Sequence, residues 1–264
     1  MSLLAIDVGN TNTVLGIYDG AHLLRHWRFD SHPARTVDEH AVLMRDLMRD
    51  VRLDGAVLSC VVPALTPTLR ALCRRYYGLD LLVVEPGINT GLAMLYETPH
   101  TLGSDRLVNA VAAHERTAGA AIVVDFGTAT KIEYVTPDGA YAGGAICPGV
   151  RISSEALFAG AARLSAVELR SPPQTIGRTT LHALQSGIVL GHVATADGLV
   201  RRIRREQGVH ARVFATGGLA ALLAPHSETI DEVDEFLTLD GLRLIHARNS
   251  DRGPRRRRSA RGAP

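Results

Sequence analysis

Apolar and polar positions fall into two matching patterns, one at the N-terminus and one at mid-chain. Residues 3–29, LLAIDVGNTNTVLGIYDGAHLLRHWRF, hold an apolar run that closes on Asp7 and a second that follows Asn12. A third follows Asp19-Gly20, a hairpin turn signal. Residues 121–146, AIVVDFGTATKIEYVTPDGAYAGGAI, repeat the order, with Asp125 closing the first run and Asp138-Gly139 before the third. Each stretch predicts three strands. Between and after them the periodicity becomes helical. A helix over 36–51 starts behind Thr36 with Glu39 three residues on, the spacing of a capping box. A strand at 55–62, a helix at 67–78, a strand at 81–86 and a helix at 104–117, capped by Ser104, complete the first half. The second half predicts helices near 151–163, 178–206 and 216–224 and a strand at 211–218. Alternating strands and helices indicate the α/β class.

Duplication at half-chain spacing implies two similar lobes facing each other, with ligands favouring the cleft between them. The chain of 264 residues, 46% hydrophobic and 21% charged, can bury the cores this requires. No apolar run approaches the ~20 residues of a membrane span. The first ten residues have no basic segment and no cleavage site, so no signal peptide is expected. Cys60, Cys73 and Cys147 form no metal or redox motif, and reduced thiols in a cytoplasmic protein are expected. The net charge of +2 misrepresents the folded part, because residues 251–264 carry six Arg and one Asp. That +5 leaves −3 on the rest, which gives no bias toward nucleic acid. The tail has nothing to bury and is expected to be disordered.

The two Asp-x-Gly turns carry the chemistry. Glycine lets a backbone approach a ligand closely, successive N–H groups and hydroxyls can donate to phosphate oxygens, and a strand-end carboxylate can hold a cation beside them. Two copies at equivalent places point to a nucleotide phosphate site; it is not a P-loop, because GxxxxGK[ST] is absent. The segment TPHTLGSDRLVNA places Asp105 and Arg106 at a helix start, where adjacent residues face different partners. An aspartate beside a substrate hydroxyl suits a general base, since phosphoryl transfer through a loose transition state asks little proton removal. An arginine there suits bidentate capture of a carboxylate. FATGG (214–218) could let a nucleotide base or ribose lie on the backbone, or merely turn the chain.

In order along the chain, DVGNTNTVLG (7–16), YETPHTLGSDR (96–106), VDFGTAT (124–130), YAGGAICPG (141–149), IGRTTLHALQSG (176–187), FATGG (214–218) and LTLDGL (237–242) resemble type III pantothenate kinase, of the acetate kinase, sugar kinase, Hsp70 and actin superfamily. The resemblance spans residues 3 to about 249. It implies two duplicated actin/ribonuclease H-like lobes, each with a central mixed sheet, and an active site in the interlobe cleft. The expected division is 1–117 and 118–250, with 251–264 as tail. The implied reaction is phosphorylation of pantothenate by ATP, the first step of coenzyme A synthesis. Mg²⁺, a monovalent cation (K⁺ or NH₄⁺) and a homodimer are implied with it.

Carried over by motif, Asp7, Val8, Gly9, Asn10, Thr11, Asn12, Thr13 and Val14 form the first phosphate turn, with Asp7 near Mg²⁺. Thr128 touches ATP, and Asp125 holds the monovalent cation. Asp105 is the implied base. Tyr96, Gly103, Ser104, Asp105, Arg106 and Thr180 contact pantothenate, Arg106 being a candidate for its carboxylate. Two other readings stand beside this one: a catalytically silent regulatory relative, and a kinase acting on another small hydroxylated acid.

The chain departs from the family pattern in two places. Ser165 stands where Pro is expected. Lys131, the single lysine against 28 arginines, follows GTAT where the family has Thr, and Glu133 lies two residues on. Strand alternation puts Lys131 and Glu133 on one face, which predicts either a Lys–Glu pair at the surface or an ammonium near Asp125 and the phosphates. In the second case Lys131 could partly replace the monovalent cation.

Overall fold

The computed structural model describes residues 2–161 and 164–250; the tail expectation for 251–264 lies outside them. The elements follow in order. The first half contains β1 (Ser2–Val8), β2 (Asn12–Asp19), β3 (His22–Asp30), α1 (Val37–Leu47), β4 (Gly55–Cys60), α2 (Leu65–Leu72), β5 (Leu81–Val83), β6 (Ala93–Met94) and α3 (Ser104–Thr117). The second contains β7 (Ala121–Phe126), β8 (Ala129–Val135), β9 (Ala140–Pro148), α4 (Val150–Gly160), α5 (Thr180–Gln207), β10 (Arg212–Thr216), α6 (Ala220–Leu223), β11 (Glu232–Val233) and α7 (Leu237–Ser250). No helix among these residues is long and apolar enough to cross a membrane.

The α/β expectation holds, and so does the duplication. One sheet runs β3-β2-β1-β4-β5 and the other β9-β8-β7-β10-β11, each a meander extended by two parallel strands. The second sheet takes one more strand, β6, beside β9. Local signals explain most of these elements. Thr36 and Glu39 form the predicted capping box of α1, which closes at Leu47, short of the predicted 51. The helix expected over 67–78 is α2 followed by a π-helical turn, Cys73–Tyr77, ended by Gly78.

Ser104 is not a cap. Gly103 occupies that position, and the Ser104 hydroxyl accepts from the Cys60 backbone N–H at 3.0 Å instead. This ties the start of α3 to the end of β4.

α3 lies between the two sheets. Val108 and Val111 pack with Leu3, Ala5, Val57 and the α7 residues Leu239, Leu242 and Ile245. Ala110, Ala112 and Ala113 pack with Ala121, Val123 and Phe214 of the second sheet. α7 crosses α3 so closely that a Cβ on Gly241 would stand 2.1 Å from the Val108 carbonyl oxygen. The sheets thus exchange elements: β6 precedes α3 yet joins the second sheet, and α7 ends the described chain yet packs on the first.

Candidate active site

Both Asp-x-Gly turns open at the ends of the first strand of their sheet and face one cleft of about 720 Å³. Asp7, Gly9, Asn10, Thr11, Asn12 and Val14 line it from one side, Asp125 and Thr128 from the other. The Thr11 and Thr128 hydroxyls stand 3.1 Å apart, so the two turns meet across 117 residues of sequence. Val8 and Thr13 do not line the cleft. Val8 is core, and the buried Thr13 hydroxyl lies 2.9 Å from that of Ser31. Ser31 was not legible as a site residue. Its hydroxyl donates to the Gly9 carbonyl at 2.7 Å and its N–H to that of Thr11, which braces the first turn from below.

The double glycine at 217–218 has a definite purpose. Gly217, at φ +91°, passes beside Asp125, where a Cβ would come within 2.5 Å of Oδ1 and 2.7 Å of the Phe126 carbonyl. A side chain there would displace the carboxylate, and the conformation itself disfavours one. Gly218 and Leu219 then line the cleft.

Three carboxylates and one ammonium form the deepest part of the site. Asp105, in the first turn of α3, reaches Lys131 Nζ with Oδ2 at 2.5 Å. Asp125 accepts from the same nitrogen at 2.7 Å. Asp125 and Lys131 are register partners on β7 and β8, so the contact is set by strand pairing. Asp7 lies beside them with Oδ1 buried and without a hydrogen-bond partner. Burial and then the neighbouring Asp105 raise its pKa to about 7; the Ser59 hydroxyl, bonded to the carboxylate, opposes this, and Asp125 adds to it. Burial also pushes the Asp125 carboxyl up, against the pull of Lys131. Burial works against the charge on Lys131 itself, but Asp125 and Asp105 outweigh it and hold the ammonium above the usual lysine range.

The pairing of Lys131 with Glu133 does not form. The two residues take separate partners from consecutive positions on α3, as adjacent helical residues must. Glu133, 1% exposed, accepts from Arg106 Nε at 2.6 Å and Nη2 at 2.9 Å, and from the Tyr141 hydroxyl at 2.5 Å. Tyr96 stacks on this unit, with its ring centroid 5.6 Å from the guanidinium carbon. Arg106 is therefore a buried, neutralised arginine: Glu133 takes Nε and Nη2, Tyr96 is a further partner, and the residue lines neither cavity. Gly103 and Ser104 line a second cavity of about 1140 Å³ on the far side of the α3 start. Thr180 begins α5 and lines neither cavity.

The strain at Asp7 has a measurable consequence. Its folded-state value of about 7 lies above the unfolded 3.8, so ionising it costs nothing below about pH 4 and the full penalty above about pH 7. Without ligands, Asp7→Asn is expected to be more stable than the parent at alkaline pH by roughly 4 kcal/mol, with the gain fading toward pH 4. Urea unfolding across this range checks it. Parallel pH profiles for the two proteins would refute the assignment.

The family model of type III pantothenate kinase matches residues 3–202. A type III pantothenate kinase of Anaeromyxobacter sp. (strain Fw109-5) is 52% identical over 252 residues, covering 94% of this chain and 99% of that protein. Among solved structures, the ROK hexokinase of Thermus thermophilus aligns with a TM-score of 0.56 at 14% identity, over 96% of this chain and 100% of that one. The (R)-2-hydroxyglutaryl-CoA dehydratase component A of Acidaminococcus fermentans aligns with 0.56 at 12%, over 93% and 95%. These two structures speak to fold alone: the two-sheet fold of actin-like ATPases and sugar kinases.

Proposed function

The chain belongs to the type III pantothenate kinase family, and from that membership we propose that it transfers the γ-phosphoryl group of ATP to the terminal hydroxyl of pantothenate. The product is 4′-phosphopantothenate, and the reaction opens coenzyme A synthesis. One observation carries the reading beyond membership: two duplicated phosphate turns converge on one cleft, with Asp7, Asp105, Asp125 and Lys131 at its base.

The roles follow from position. The backbone and hydroxyls of residues 9–12 and of Thr128 cradle the ATP phosphates from two sides. Asp105 takes the proton of the pantothenate hydroxyl as its oxygen bonds to the γ-phosphorus and the bond to the bridging oxygen of ADP breaks. Most of the rate comes from alignment and charge. Tyr96, Gly103, Ser104 and Arg106 are the proposed pantothenate contacts, with Glu133 fixing the orientation of Arg106.

Mg²⁺ fits the residues present. Asp7 Oδ1 is buried and unpartnered, and three carboxylates with one ammonium sum to −2, the charge that a divalent cation neutralises. Among the described residues no group of three His, Cys, Asp or Glu could hold a metal unaided. Asp7 would therefore share the ion with phosphate oxygens and water, the usual arrangement for Mg²⁺ at a phosphate site. Bound there, it supplies neutralisation of charge on the phosphoryl oxygens. The monovalent cation implied at Asp125 does not fit, because Oδ2 already carries the Lys131 ammonium at 2.7 Å.

A homodimer and a cytoplasmic location complete the proposal. Thr180 stands outside the cleft, and the proposed homodimer is how it would come to contact pantothenate. The deciding assay is ADP release in the presence of Mg²⁺. Release with pantothenate and not with sugars or acetate is expected. Release with another hydroxy acid alone would reassign the substrate, and nucleotide binding without release would make the chain a silent relative.

A further inference from the structure

We propose that Lys131 is a tethered monovalent cation of the phosphate site, and that this chain consequently works without a free one. The inference rests on the kinase reading above and concerns the same site. Lys131 Nζ lies 2.5 Å from Asp105 Oδ2 and 2.7 Å from Asp125 Oδ2, with its side chain 16% exposed and lining the cleft. The ammonium thus joins two carboxylates that come from different elements, α3 and β7.

The repeat isolates what is special about it. In the first sheet the residue opposite Asp7 is Val14, and in the second the residue opposite Asp125 is Lys131. Strand pairing therefore fixes the position but does not ask for an amine. The residue type matters as well. Arginine supplies the other 28 cationic side chains, but its planar fork spreads charge over several donors. Lysine ends in a compact point charge with three donors, much as a small monovalent ion would be.

A second monocation on Asp125 would meet two obstacles. Asp125 Oδ2 already carries the Lys131 ammonium. Two like charges about 4 Å apart also repel, and more strongly in the partly buried cleft than in bulk water.

The experiment compares the purified protein and Lys131→Thr in K⁺, NH₄⁺ and tetramethylammonium at matched ionic strength. Pantothenate-dependent ADP release and the affinity for a non-hydrolysable ATP analogue with Mg²⁺, measured by calorimetry, are read in parallel. For the parent both quantities are expected to stay within about twofold across the three salts. Lys131→Thr is expected to lose about tenfold or more in tetramethylammonium and to recover in K⁺ or NH₄⁺, tenfold being ~1.4 kcal/mol. Lys131→Arg should not respond to either ion.

A parent activated about tenfold by K⁺ would overturn the proposal, and needs no variant to fold. So would a Lys131→Thr protein that keeps full function in tetramethylammonium, or one that no cation restores. If pantothenate releases no ADP in any salt, the substrate reading fails by itself, and the nucleotide affinities still decide the cation question.

Discussion

Asp105→Asn is expected to bind MgATP and pantothenate nearly as well as the parent and to turn over about 10²–10⁴-fold more slowly, the range for loss of a positioned proton acceptor. The geometry makes the substitution informative. Asparagine keeps the shape of the side chain and can still accept from Lys131, so the ammonium stays in place, while the oxygen that would receive the proton loses its basicity. A Cβ on Gly103 would stand 2.6 Å from Asp105 Oδ1, so the carboxyl lies close over the glycine. Steady-state kinetics separate the outcomes. A fall in kcat with unchanged KM for both substrates supports the base. A rise in the KM of pantothenate at normal kcat would make Asp105 a binding group, and near-normal kcat/KM would remove it from the chemistry.

Glu133→Ala is expected to cost about 3–5 kcal/mol of stability, the penalty for stranding one member of a buried ion pair. Arg106 would remain 7% exposed without its carboxylate, and the Tyr141 hydroxyl would lose its acceptor. Glu133→Gln keeps the shape and one acceptor oxygen but turns the other into an NH₂ donor and leaves the guanidinium uncompensated, so a loss close to that of alanine shows that shape alone does not hold the pair. Denaturant melts of the three proteins give the comparison. If both variants melt within about 1 kcal/mol of the parent, Arg106 is solvated and the burial argument fails.

The residues that were legible in the sequence owe it to local signals. Asp19-Gly20 and Asp138-Gly139 turn their hairpins within a few residues, and the Thr36–Glu39 box needs only its own turn of helix. The two phosphate turns were legible because they occur twice. What depended on distant partners was not. β6 and β11, two residues each, exist only because β9 and β10 pair with them. α7 carries Leu237, Leu239, Leu242 and Ile245 without a clean amphipathic stripe, because α3 and three strands of the first sheet bury it. Ser104 read as a cap by residue type, whereas the extended backbone of Gly103 takes that position. Strand alternation left Lys131 two partners, Glu133 or the Asp125 side of the cleft; the second holds, and α3 supplies Asp105 to Lys131 and Arg106 to Glu133 in succession. Asp7, Asp105 and Asp125 could each be named from motifs. That Asp105 joins Asp125 on the Lys131 ammonium could not.

The placement of α3 between the two sheets has a mechanical meaning. A helix packed into both cores is an axle, and its first turn carries Asp105. Any relative rotation of the halves displaces points in proportion to their distance from that axle. The Thr11 and Thr128 hydroxyls meet across the two halves, whereas Asp105 rides on the shaft itself. If the halves turn about that helix, the travel falls on the turns that line the cleft.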